Sequence, residues 1–115
     1  YENNIEVSLF LDPDLENIDV CKELGINAIE FHTGEIANAS GEEEKFLINK
    51  LKNVIECAAT QGISIRAGHG LNFDKTKKII NIKYLEELNI GHFIIGESIF
   101  YGLSEVVKKM KKIIG

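Results

Sequence analysis

Apolar residues along this chain fall in short unbroken runs that alternate with longer stretches of helical spacing. Residues 5–11 (IEVSLFL) read as a buried strand. Asp12-Pro13-Asp14 follows, where an Asp N-cap with Pro at the first helical position predicts a helix start. Leu15, Ile18, Cys21 and Leu24 then recur at helical spacing, and Gly25 predicts the stop. Residues 28–33 (AIEFHT) form a second strand, and a polar loop leads to Glu42, Glu43 and Glu44, three carboxylates suited to the positive end of a helix. Leu47, Leu51, Val54, Ile55 and Ala58 give that helix one apolar face, closed by Gly62. Residues 63–67 (ISIRA) are a third strand, followed by Gly68-His69-Gly70 and a short helix near 75–81.

The last unit supports two readings. Local propensity makes residues 92–96 (HFIIG) a strand. Alternatively, the strand lies at 88–90 and Gly91-His92 opens a helix. Val106, Val107, Met110, Ile113 and Ile114 mark a final amphipathic helix. Four βα units imply a parallel sheet. Two architectures fit: a small doubly wound domain, or half of a (β/α)8 TIM barrel, which in full usually needs about 250 residues. Four strands cannot close a barrel, so the second reading needs another half. The chain begins at Tyr1 rather than Met, and residues upstream are expected.

Composition narrows the function classes. An apolar fraction of 44% suits a packed core rather than a disordered tail. The net charge of -5, with lysines gathered only at 75, 77, 78 and at 108, 109, 111, 112, predicts solvated helix faces and no nucleic-acid partner. No apolar run is long enough to cross a bilayer, so no membrane partner and a cytoplasmic location are expected. Cys21 and Cys57 sit within helical apolar patterns and read as free thiols of a reducing compartment.

Barrel enzymes carry their chemistry at the C-terminal ends of strands. All three histidines fall there: His32 near the end of the second strand, His69 after the third, and His92 after the fourth. Glu30 lies between Ile29 and Phe31, and a carboxylate is costly to bury unpaired. It reads either as a site residue or as the ion-pair partner of Arg66 on the next strand. Strand alternation puts His32 on the same face as Glu30, where it either acts or holds a backbone carbonyl. His69 stands between two glycines, open to a ligand. Gly91-His92 before an apolar helix suggests a phosphate site at a helix N-terminus, against a plain turn glycine. No HxH or HxxxH spacing supports a metal site. Gly-x-Gly-x-x-Gly is absent, which weakens a dinucleotide reading.

Taken together, Val7-Ser8-Leu9-Phe10-Leu11-Asp12, Ile29-Glu30-Phe31-His32-Thr33-Gly34, Ala67-Gly68-His69-Gly70-Leu71 and Glu87-Leu88-Asn89-Ile90-Gly91-His92 resemble, in order and spacing, the pyridoxine 5'-phosphate synthase family. The resemblance covers essentially all 115 residues as one partial domain and implies the C-terminal half of a TIM barrel, strands five to eight. It implies condensation of 1-deoxy-D-xylulose 5-phosphate with 3-amino-2-oxopropyl phosphate to pyridoxine 5'-phosphate, inorganic phosphate and water. It assigns Glu30 to transition-state stabilisation and His69 to proton donation, with Gly70, Gly91 and His92 contacting the phosphorylated substrates. No cofactor and no metal are implied. A further histidine, a glutamate and arginines of that family belong upstream, so this piece alone is expected to be inactive, and a homo-octamer is implied. The resemblance favours the helix from His92. Arg66, where asparagine is common, and Glu97, where a small or basic residue is frequent, depart from the pattern. The alternatives are another phosphate-binding barrel lyase or isomerase and a small doubly wound binding domain.

Overall fold

The computed structural model describes residues 5–115, so the first four residues of the expected 1–115 domain lie outside the described residues. Strands β1 (Ser8–Leu11), β2 (Ala28–His32), β3 (Ser64–Gly68) and β4 (Leu85–Asn89) form one sheet in the order β1-β2-β3-β4, parallel throughout. Between them run α1 (Leu15–Leu24), α2 (Gly34–Asn38), α3 (Gly41–Thr60) and α4 (Phe73–Ile79). After β4 come α5 (His92–Tyr101) and α6 (Leu103–Ile114). A doubly wound sheet reverses direction at a switch point. This sheet steps one way only, as a segment of barrel wall does, and the fold is α/β.

Right-handed crossovers that all step one way stack their helices on one face of the sheet. Burial follows that rule. Ile29 and Phe31 of β2 and Ile65 and Ala67 of β3 are buried in a core completed by Ile18 and Cys21 of α1 and by Leu51, Val54, Ile55 and Ala58 of α3. The alternate positions form the opposite face. There the register aligns Phe10, Glu30, Arg66 and Glu87 in one row across four strands, none of them buried. One face is thus apolar and covered, the other polar and open.

Several boundaries differ from the sequence reading. The first strand is shorter than residues 5–11, because its ladder begins where Ser8 meets Ala28, the first residue of β2. α1 starts at Leu15 with Asp14 as its N-cap. Asp12 does not cap it; its carbonyl instead accepts the Asp14 N–H and the Asn17 side chain. The expected polar loop after β2 contains α2, which buries Ile36. In β4 the pairing jumps from Ile65–Leu85 to Arg66–Glu87, a bulge that lets Leu85 and Leu88, three apart, both pack on the core. The strand at 92–96 is not formed; α5 begins at His92, and Gly102 separates it from α6. In α6, Val106 and Met110 are buried, while Val107 and Ile114 of the expected stripe are exposed. Cys21 and Cys57 are free, and burial pushes the Cys21 thiol above its ordinary pKa. Among the described residues no helix is long and apolar enough to cross a membrane.

A buried ion cluster ties α3 to α4. Glu44, in the first turn of α3, pairs with Lys75, and Lys78 reaches its other oxygen at 2.5 Å. Lys75 also donates to the Ala39 carbonyl, which joins the end of α2 to the cluster. Hydrogen bonds from Lys75 and then Lys78 hold the Glu44 carboxyl below the usual carboxylate range, against the opposing effect of desolvation. Farther along α3, Lys50 pairs with Asp14 at 2.9 Å, and that bond raises the Lys50 pKa.

The lowered folded-state value means that Glu44 stabilises the fold fully above the ordinary carboxylate range and loses that contribution as pH falls through its depressed value. Glu44→Gln in the full-length protein is therefore expected to lower the urea midpoint at neutral pH and to flatten its decline on acidification. Equal midpoints for both proteins across the pH series would show that the cluster contributes nothing.

Candidate functional site

The strand ends of the open face converge on a cavity of about 680 Å³. Glu30 of β2, His69 and Gly70 after β3, and Gly91 and His92 at the start of α5 all line it. So do Phe10, Asn72 and Asn89. Five of the residues singled out in the sequence are thus brought to one place, while His32 stays outside the lining. Among the described residues no three potential ligands are grouped as a metal ion would require.

Glu30 is held by β4. Its Oε1 accepts from Asn89 Nδ2 at 2.6 Å. The ion pair considered with Arg66 is not made. Arg66 is the register neighbour of Glu30, yet its guanidinium turns to Glu6 at 2.9 Å and Glu87 at 3.7 Å. Two carboxylates flanking one guanidinium leave Glu30 to a neutral donor. Gly68 makes this possible, since a Cβ there would come within 2.9 Å of Glu30 Oε2 and 2.7 Å of the Asn89 carbonyl.

His69 is exposed and has φ 88, a left-handed conformation uncommon for a residue with a side chain. Thr33, wholly buried, supplies the compensation. Its hydroxyl shares one proton between the Gly68 and His69 carbonyls, each at 2.8 Å, and its N–H donates to the Gly68 carbonyl. Behind His69 lies His32, with ring centroids 4.4 Å apart. His32 does not hold a carbonyl. Its Nδ1 accepts the Gly34 N–H at 3.0 Å, and Phe10 packs on its ring at 4.9 Å.

The α5 terminus opens on the cavity. The Ile95 N–H reaches back to the Gly91 carbonyl, so the amides between them have no partner within the helix. Free amides and the positive end of a ten-residue helix suit an anion. Glu97 is not part of this lining; it belongs to a neighbouring cavity that shares only Asn72 and Phe93 with the first. Sequence reasoning did not assign Phe10, Thr33 or Asn72 to the site. Phe10 and Thr33 stand inside the quoted motifs, and only the strand register shows that Phe10 faces Glu30. Asn72 has a local signal, because it is a good N-cap residue and accepts the Lys75 N–H at 2.8 Å.

The family model for pyridoxal phosphate biosynthesis protein PdxJ matches residues 1–115. The pyridoxine 5'-phosphate synthase of Sulfurihydrogenibium sp. (strain YO3AOP1) is 49% identical over 113 residues, which are 98% of this chain and 46% of that protein. The synthase of Akkermansia muciniphila is 40% identical over 114 residues, 98% of this chain and 46% of its own. That of Blochmanniella floridana is 40% identical over 111 residues, 96% and 45%. The chain spans about half the length of the curated relatives it matches.

Replacing Gly68 tests the packing around Glu30. Gly68→Ala drives a methyl against backbone and carboxylate, an overpacking that costs about 1–3 kcal/mol. Denaturant unfolding of the full-length protein is expected to show that loss, and a crystal structure to show Glu30 parted from Asn89. Unchanged stability with the Glu30–Asn89 bond intact would refute the close-approach account.

Proposed function

Because the chain belongs to the family of pyridoxal phosphate biosynthesis protein PdxJ, we propose that it is the second half, strands five to eight, of the (β/α)8 barrel of a pyridoxine 5'-phosphate synthase. The reaction is condensation of 1-deoxy-D-xylulose 5-phosphate with 3-amino-2-oxopropyl phosphate, releasing inorganic phosphate and water. One observation carries the reading: Glu30, His69, Gly70, Gly91 and His92, contributed by three successive strand ends, share one cavity.

Ring closure proceeds through imine formation, phosphate loss, water addition and dehydration, and each step moves a proton. His69 donates protons to departing oxygens from its exposed position at the rim. Glu30, fixed by Asn89, stabilises cationic iminium character as it develops. The free amides at the start of α5, with Gly70 beside them, take a substrate phosphate. Glu97 lines the neighbouring cavity and not this one. No metal or organic cofactor enters these steps.

The open polar face is then the inner surface of the barrel, and the upstream half covers it. That half also brings the remaining histidine, glutamate and arginines, which leaves these 115 residues inactive alone. The exposed apolar side chains of α5, including Ile95, Ile99 and Phe100, are covered in the complete assembly, a cytoplasmic homo-oligomer of octameric form.

In the full-length protein, Glu30→Gln and His69→Ala are each expected to lower turnover by roughly 100-fold or more, the scale of a positioned acid–base or charge-stabilising group. Near wild-type turnover in a folded variant would remove that residue from the mechanism. Gly91→Val should raise KM for the phosphorylated substrates more than it lowers the unfolding midpoint. An unchanged KM would leave Gly91 a turn residue only.

A further inference from the structure

His32 does not line the cavity, yet it is held more firmly than a bystander needs. Its Nδ1 accepts the Gly34 N–H, which fixes the ring plane and, since an accepting nitrogen carries no proton, places the proton on Nε2 while the bond is made. Phe10 packs on the ring at 4.9 Å with a tilt of 41°, and His69 packs on it at 4.4 Å with a tilt of 34°. Phe10 and His69 are farther from each other, 6.5 Å, so His32 is the middle of the stack. Gly34 is needed for this arrangement, because a Cβ there would collide with the His32 ring and come within 3.2 Å of His69 Cδ2. The backbone of His69 is clamped separately by Thr33, which leaves the His69 side chain with no hydrogen-bond partner among those described and only the stack to orient it.

We propose that His32 is a positioning residue: its ring is the platform that aims the His69 imidazole into the cavity, and it transfers no proton itself. This rests on the functional reading above for its kinetic consequence, though not for its geometry. The platform needs a flat ring at this place and not an imidazole in particular. A ring without nitrogens therefore suffices, whereas a group that moved protons could not be replaced in that way.

The test uses the full-length protein with His32→Ala, which removes the ring, and His32→Phe, which keeps one. His32→Leu, which keeps bulk without a ring, replaces the alanine variant should that one fail to fold. Misplacing a reacting group by about 1 Å can lower rates by up to roughly 100-fold. The ringless variant is expected to lose about 10- to 100-fold in kcat with KM within about threefold, and the phenylalanine variant to recover most of the loss. Crystal structures of the two variants give the second readout: the His69 ring displaced in the ringless variant and superposable on the wild type in His32→Phe. Equal losses of kcat in both variants would show that a ring at this place does not suffice and would overturn the proposal. An undisplaced His69 ring in the ringless variant would overturn it as well. If the wild-type protein shows no synthase activity, the functional reading fails and the crystal structures alone decide the positioning role.

Discussion

A parallel sheet buries both faces, and in this chain helices cover only one of them. Much else depends on that constraint. The one-way strand order sends every crossover to the same side, so Ile29, Phe31, Ile65 and Ala67 meet α1 and α3. The alternate residues are left as a polar row, Phe10, Glu30, Arg66 and Glu87. A carboxylate would be expensive on the apolar side. On the open side it finds Asn89.

The site grows out of this division. Glu30 projects because its neighbours in sequence do not, and β4 supplies Asn89 because β3 ends in a glycine that lets strand and carboxylate approach. The strained His69 backbone is stabilised by a buried threonine one strand away, and its ring by an imidazole that never reaches the cavity. On the outer side, the Glu44 cluster fixes α4, whose N-cap Asn72 belongs to the cavity wall. Structural roles are thus divided: one group lines the cavity, and a second group at each place holds it.

Much of this was legible in the sequence because it is local. The alternation of apolar runs and helical spacing gives four βα units, and the histidines at strand ends mark the rim. The choice between strand and helix at residues 92–96 was not settled by local propensity, since HFIIG is β-prone; the helix forms because the preceding residues already pair with β3. α2 is not legible in the sequence because five residues are too few to show a period. The bulge in β4 broke the alternation that would have separated Leu85 from Leu88. The partners of Glu30, Arg66 and His69 depend on contacts tens of residues apart in sequence, and no spacing rule reports that the Arg66 guanidinium takes Glu6 and Glu87 and leaves Glu30 to Asn89.

The central claim is that the open face is the inside of a barrel whose rim is the reaction site. A crystal structure of the full-length protein with inorganic phosphate tests it most directly. The account predicts that strands from the upstream half pair with the free edges of both β1 and β4, that Phe10, Arg66 and Glu87 become enclosed, and that phosphate sits on the amides at the start of α5. Free sheet edges, a second helical layer over the polar face, or phosphate bound elsewhere would contradict it.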